Sequence, residues 1–593
     1  MAVDVSRRVD ALRAYMDANG LAAFIIVSSD PHSSEYVADK WKTREWISGF
    51  DGSAGTAVIT KECALLWTDS RYWLAAEELF AQSQFRLMKD GAAGTPSIAE
   101  WLCENLAEGD VVGVDGTVCS LAEVSAWESR LSLCGIRLDV SSDPFDDLWR
   151  DRPSMPMEPA IVLPLEYAGE TASSKLGRLR RELAQQGACG MLVTMLDEVA
   201  WLTNIRGNDV QYNPVVVSYL LVTADTATLF VQEQKISEQV QDYLVGQGYK
   251  TAPYNAVWDA IAAYDKENIL LQPNRCNAAI VKKLNNNCKP LFCDSPVAAM
   301  KAVKNDVEIE GFKKAMLSEG VAMVKLLYWL EKTMPHGGIT ELDVDKKLTE
   351  LRSVDNEFRG LSFSTIAAYA SNAAIVHYEP TEETNTALEQ KGMLLLDCGG
   401  QYMSATTDVT RTIPLGTLSV EEKEDYTRVL KGHISLAMAK FPKGACGTQI
   451  DVLARQWLWQ AGQNYLHGTG HGVGHFLNVH EGPHQIRMNN VPAPLLPGMT
   501  VTNEPGLYKA GRHGIRIENT MLVVADVTTE FGEFCSMIPL TLCPIDKRPI
   551  IPELLGAEAK NYLDDYHARV YGLLSPYFEG EQLDFLKKLC APL

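Results

Sequence analysis

The sequence predicts a chain of α/β domains, with two related units in its first half and a third, mixed helix-and-strand unit that carries the chemistry. Three observations lead there. At 593 residues the chain exceeds what one hydrophobic core usually serves. Its first half repeats itself at a constant offset, with Leu12, Arg13, Gly20 and Asp30 falling on Leu179, Arg180, Gly187 and Asp197. From about Gly392 the pattern turns to short strands divided by Gly and Pro clusters.

In each repeat an amphipathic helix stops at a glycine, and an apolar strand follows at Ala22–Val27 and Gly190–Thr194. The proline run Pro153, Pro156, Pro159 and Pro164 reads as the linker between the copies and sets the first boundary at 157/158. After Asp294-Ser295-Pro296 a long helical pattern runs from Asn305 to Lys332, so the expected domains are 1–157, 158–304 and 305–593. Within the third, Ser419 and Glu422 have the spacing of a capping box for a helix reaching about Lys440. The extension from about 544 is helical again over Ala557–Leu574 and reads as packing or as part of a subunit contact.

A formal charge of −22 opposes phosphate binding, which sets nucleic acid aside. Residues 1–17 lack the uninterrupted apolar stretch of a signal peptide, and the longest apolar runs fall short of the ~18 residues of a membrane span. A cytoplasmic chain without a membrane partner is the expectation. Thirteen scattered cysteines with no C-x-x-C pair read as reduced packing thiols, Cys398 among them as a small core-facing strand residue.

Chemistry concentrates in three places. The strand-like runs Leu394–Gly400 and Thr406–Thr412 would pair as a hairpin centred between Tyr402 and Met403, setting Asp397 opposite Asp408 on one face. Facing carboxylates need a shared proton or a cation, unless a different register makes them unrelated surface aspartates. The segment His467-Gly-Thr-Gly-His471-Gly-Val-Gly-His475, followed by His480 and His484, holds five of the eleven histidines. Alternating glycines exclude a helix there, and G-x-G-x-x-G is not met, so glycine serves the close approach of backbone or substrate. Last come Asn503-Glu504-Pro505-Gly506 and Gly514–Asn519, where alternation puts Ile515 and Ile517 on one face and Arg516 and Glu518 on the other. Asp397, Asp408, Glu504, Glu518 and one histidine carry a formal charge of −4, which two divalent cations balance. Such donors suit Mn²⁺ first, with Co²⁺, Zn²⁺ or Fe²⁺ also accommodated.

With these residues in view, the chain resembles the cytosolic type of aminopeptidase P, the Xaa-Pro aminopeptidases of the pita-bread metallopeptidases (family M24). Asp397, Asp408, His471, Glu504 and Glu518 have the order and spacing of that family's metal ligands. The runs Ser48–Thr56, Thr68–Tyr72 and Leu196–Trp201 are also family-like, so the resemblance covers almost the whole chain. It implies two creatinase-like α/β domains before a pseudo-symmetric pita-bread catalytic domain. It implies two metal ions, held jointly by Asp397 and Glu518, with Asp408 on one and His471 and Glu504 on the other. A hydroxide bridging the ions would be the nucleophile, and Glu504 would carry the proton to the departing proline nitrogen. His377 and His480 resemble histidines that contact substrate and stabilise the oxyanion. His467, His471, Tyr508, Arg516 and Arg71 resemble further substrate-shell residues, and the family implies a homodimer acting on peptides with proline second.

His475 and Ser70 depart from the pattern, where a small residue and a glycine are expected. The rivals are a prolidase, which usually has one N-terminal domain, methionine aminopeptidase, the metal-free creatinase and a non-catalytic peptide-binding relative. The repeat argues against prolidase, the 304 residues ahead of the expected catalytic domain against methionine aminopeptidase, and the complete ligand set against the others.

Overall fold

A computed structural model describes residues 2–141 and 143–593. The chain divides into two compact units, one comprising residues up to Pro164 together with Glu170–Val297, the other Leu165–Gly169 with Ala298–Leu593.

The N-terminal unit contains the repeat as two six-stranded sheets of the same topology. The first holds β1 (Ala23–Val27), β2 (Thr56–Thr60), β3 (Ala64–Thr68), β4 (Phe85–Lys89), β5 (Val111–Val114) and β6 (Arg137–Asp139), in the order β4-β3-β2-β1-β5-β6. The second holds β7 (Gly190–Val193), β8 (Ser218–Thr223), β9 (Ala227–Val231), β10 (Lys250–Pro253), β11 (Asn268–Leu271) and β12 (Lys289–Phe292), in the order β10-β9-β8-β7-β11-β12. In both, the first strand pairs antiparallel with the second and parallel with the fifth. The feeding helices, α1 (Ala2–Ala18) and α2 (Ala172–Gln185), are followed by Gly20 at φ +66° and Gly187 at φ +69°. These left-handed turns are why glycine recurs at the same point of each copy. Residues 152–160 have no regular secondary structure, in keeping with their prolines.

The C-terminal unit opens with α3 (Asp306–Thr333), whose start is fixed by a reciprocal capping box. Asn305 Oδ1 accepts from the Glu308 amide (2.9 Å), and Glu308 Oε2 accepts from the Asn305 amide (2.9 Å). After α4 (Glu341–Arg352) comes a three-stranded sheet in which β14 (Met393–Cys398) lies between β13 (Ile366–Tyr369) and β15 (Val409–Pro414). Then follow α5 (Val420–Ala437), which begins at the expected Ser419–Glu422 box, and α6 (Gly447–Trp459). The larger sheet holds β16 (Gly470–Gly472), β17 (Glu481–Ile486), β18 (Thr500–Asn503), β21 (Asn519–Thr529) and β22 (Gly532–Pro539). Its order is Phe441–Pro442, β22, β21, β18, β16, β17. The hairpin of β19 (Gly506–Lys509) and β20 (His513–Arg516) stands between β18 and β21 in the chain.

The hairpin register corrects the sequence expectation. Asp397 pairs with Thr410 and Cys398 with Val409, and the two-residue turn is Met403–Ser404, so the centre lies one residue later than expected. Asp408 is thus displaced by two from the position opposite Asp397. A two-residue slip preserves the face, because side chains alternate with period two, and both aspartates stay on one side.

Ile515 and Ile517 are fully buried in a core with Tyr426, Leu430, Leu563 and Val570. Burial of each isoleucine contributes ~1.5–3 kcal/mol, and it turns Arg516 and Glu518 to the opposite side. The tail helix α7 (Ala557–Leu574) packs into that same core. Cys398 is buried among Leu396, Val409 and Met323, a core thiol as expected.

Candidate active site

Asp397 is the penultimate residue of the apolar strand β14 and presents two unlike oxygens. Its Oδ2 accepts from Arg516 Nε (3.1 Å) and Nη2 (2.6 Å). Its Oδ1 is buried with no hydrogen-bond partner among the described residues. Asp408 stands one residue before β15. Across from it, Glu518 is oriented through Oε2, which accepts from Thr410 Oγ1 at 2.7 Å. Arg411, fully buried, donates to the Glu518 carbonyl and to Asn519 Oδ1.

His471 sits in the middle of β16, and its neighbours explain the glycines around it. A Cβ on Gly470 would come within 1.9 Å of the Thr502 carbonyl, and one on Gly472 within 2.5 Å of that of Glu481. Only glycine lets β16 lie this close to its partners. The segment is extended, as its composition predicts. His471 Nδ1 faces the Gly472 carbonyl at 2.8 Å. A carbonyl only accepts, so Nδ1 carries the proton and the lone pair of the neutral ring is on Nε2. Nε2 lies 3.5 Å from Asp408 Oδ2 and 3.4 Å from Glu504 Oε1. Thr502 Oγ1 donates to Glu504 Oε1 (3.2 Å) and accepts from the His471 amide (3.0 Å).

Asp408, His471 and Glu518 each offer a ligand atom within 4.8 Å of the other two. Burial pushes the carboxyls of Asp408 and Glu518 well above the usual range, and the neighbouring carboxylates add to the effect. Burial also raises Glu504, opposed by Arg516 and reinforced by Asp397, to about 7. Three buried acids and the half-buried Glu504, one cation against Asp397, an unpartnered carboxylate oxygen and an imidazole lone pair together fit divalent metal ions.

The remaining candidates fall in three places. His480 packs edge-on against His471, ring centroids 4.4 Å apart. His467, Tyr508 and Arg516 form a relay: Arg516 Nη1 donates to the Tyr508 oxygen (2.6 Å), whose hydroxyl lies 2.9 Å from His467 Nε2. Arg516 is 1% exposed and spends its donors on Asp397, Tyr508 and the Val376 carbonyl (3.3 Å). His377, half-buried, directly follows Val376. Arg71 belongs to the N-terminal unit, where it pairs with both carboxylate oxygens of Asp69 (2.9 and 2.7 Å). Sequence reasoning gave no role to Thr410, Thr502 or Arg411. Thr410, two residues after Asp408 on the same strand face, was the one with a legible signal.

The Creatinase/Prolidase N-terminal domain matches residues 8–147 and, in a second form, 151–308. Metallopeptidase family M24 matches 310–525, and the C-terminal region of peptidase_M24 matches 533–593. A probable Xaa-Pro aminopeptidase P of Laccaria bicolor is 40% identical over 100% of this chain and 94% of its own. The chain belongs to the aminopeptidase P family of M24 metallopeptidases. Within it, the solved X-prolyl aminopeptidase of Caenorhabditis elegans, described as a cytosolic enzyme with a di-nuclear active site, superposes with a TM-score of 0.95. It is 35% identical, covering 99% of this chain and 100% of that one. The Xaa-Pro dipeptidase of Bacillus anthracis shares the fold with a TM-score of 0.52 at 24% identity and covers only 64% of this aminopeptidase P family chain.

Proposed function

We propose that the chain is an Xaa-Pro aminopeptidase that releases the first residue of peptides whose second residue is proline. The observation that carries this is the convergence of Asp397, Asp408, His471, Glu504 and Glu518 in a chain that matches aminopeptidase P along its full length. Those five residues would hold two divalent ions, Mn²⁺ first among the candidates. When bound, the ions polarise the scissile carbonyl and acidify water.

The chain's own groups do the rest. Arg516 fixes the Asp397 carboxylate, and Thr410 and Thr502 fix Glu518 and Glu504. Glu504 carries the proton to the departing proline nitrogen, which has no N–H of its own in the peptide bond. His480, beside His471, and His377 face the substrate and the developing oxyanion. His467 and Tyr508 complete the substrate side, and Arg71 keeps the substrate contact that the resemblance implies. Arg516 acts from behind Asp397.

The reading extends to a cytoplasmic homodimer with domains at 1–157, 158–304 and 305–593. The proline-rich coil at 152–160 and the helix start at Asp306 support those boundaries. No described helix is long and apolar enough to cross a membrane. The test is product mass after incubation with Arg-Pro-Pro, Ala-Pro and Met-Ala-Ser in the presence of Mn²⁺. Release of Arg from the tripeptide supports the reading, and cleavage of Ala-Pro alone makes the chain a prolidase.

A further inference from the structure

Glu341 is the first residue of α4 and fully buried, and among the described residues its carboxylate is hydrogen-bonded by neutral donors. Oε1 accepts from the Tyr369 amide (2.7 Å) and Asn372 Nδ2 (3.0 Å). Oε2 accepts from the Thr386 amide (2.9 Å) and lies 2.9 Å from the Tyr378 hydroxyl. These four partners bracket one segment. Tyr369 ends β13, which runs beside Asp397 through the Ile366–Asp397 pair, and Asn372 lies in the helical turn Ala370–Ala374. Tyr378 and Thr386 are the two feet of the following loop, and Asn385 Oδ1 accepts from the Leu342 amide at the same helix start (3.1 Å).

His377 lies inside this bracket. On one side its neighbour Val376 offers its carbonyl to Arg516, which also holds Asp397. On the other its neighbour Tyr378 is tied to Glu341. The turn between is tightly determined. Ala370 takes φ +52°, left-handed for a residue with a side chain, and a Cβ on Gly514 would come within 1.7 Å of the Ala373 carbonyl. A buried carboxylate costs too much to keep unless its donors are well placed, and here every donor belongs to the segment that carries His377 or closes the loop after it.

We propose that Glu341 is a positioning residue that fixes where His377 stands relative to Asp397, and that it acts on turnover through His377. The proposal rests on the reading of His377 as a substrate-facing residue. A carboxylate suits the task better than an amide, because Gln would set an NH₂ group against donors on one side.

The test is a double-substitution cycle in the full-length, metal-loaded protein. Parent, E341Q, H377A, the double variant and Y378F are compared for kcat and KM on Arg-Pro-Pro, for metal content and for melting temperature. E341Q is expected to keep the parent's metal content and lower kcat by ~10- to 100-fold, the scale of an ångström-sized misplacement. KM should change by less than about threefold, and in the H377A background E341Q should change kcat by less than about twofold. Y378F, which removes the hydroxyl that ties the residue after His377 to Glu341, should lower kcat in the same sense by a smaller factor, and it decides the matter if E341Q does not fold. Parent-like kcat in E341Q, or a loss that multiplies fully with that of H377A, overturns the proposal. Parent-like kcat in H377A removes the reading of His377 and the proposal with it, and this outcome is recognisable from the single variant.

Discussion

Arg516 binds only one of the two oxygens of Asp397, with Nε and Nη2 both on Oδ2, and leaves the buried Oδ1 without a hydrogen-bond partner. The guanidinium holds Asp397 through that one oxygen, in a carboxylate whose charge acts on Asp408, Glu504 and Glu518. A buried acceptor of this kind costs stability unless something occupies the position in front of it.

Arg516→Lys keeps the charge and loses the fork. It should weaken metal affinity and lower kcat/KM by about 10- to 100-fold, the usual range for a residue that orients a metal ligand. Metal titration followed by calorimetry and steady-state assay on Arg-Pro-Pro checks both.

Asp408→Asn removes one charge from a cluster whose carboxyls repel, and burial holds Asp408 itself well above the usual range. In the metal-free protein the substitution should raise the melting temperature. With metal it should lower it relative to the parent, since bound ions stabilise only the fold that binds them. Activity should fall by about 10³-fold, the several kcal/mol expected of metal charge stabilisation. Calorimetric scans with and without Mn²⁺ read the change of sign.

How much of this was legible in the sequence depends on what each feature rests on. The cap at Ser419 and the glycine stops at Gly20 and Gly187 are set by local residue chemistry and could be read from composition and spacing, as could the grouping of four carboxylates with a histidine-rich segment, whereas the choice of His471 among five histidines came from the family resemblance. The hairpin register could not. Met403–Ser404 carries no glycine, and a two-residue slip leaves the hydrophobic alternation unchanged. Arg411 and Glu341 were missed for another reason. Arg411 meets Glu518 across 107 positions and Glu341 meets Tyr378 across 37, and neither has a local pattern that announces its partner.

Two buried histidines give the C-terminal unit a definite acid limit. Burial lowers His433 and His567 to about 3, with nearby cations adding to the effect. The unfolded chain takes up protons at these residues below about 6.5, while the folded chain stays neutral there until about 3. Their contribution is therefore complete above pH 6.5 and is lost as pH falls through that window. Each histidine should cost ~1.4 kcal/mol between pH 7.5 and 5.5. Denaturant melts across this range, compared with those of His567→Gln, measure it as a flatter profile in the variant.

Gly470→Ala tests the close approach of β16 and β18. A methyl group 1.9 Å from the Thr502 carbonyl forces the strands apart and carries His471 with them. Activity should fall by at least about 10²-fold, the cost of such a misplacement. Partial recovery at high Mn²⁺ would locate the damage in metal binding.

The most direct test is stoichiometric reconstitution. Metal-stripped protein is titrated with Mn²⁺, and arginine released from Arg-Pro-Pro is followed against equivalents added. Activity that rises to a break at two ions per chain is the result this account predicts. A break at one ion, or no activity at any stoichiometry, would contradict the two-ion site built from Asp397, Asp408, His471, Glu504 and Glu518.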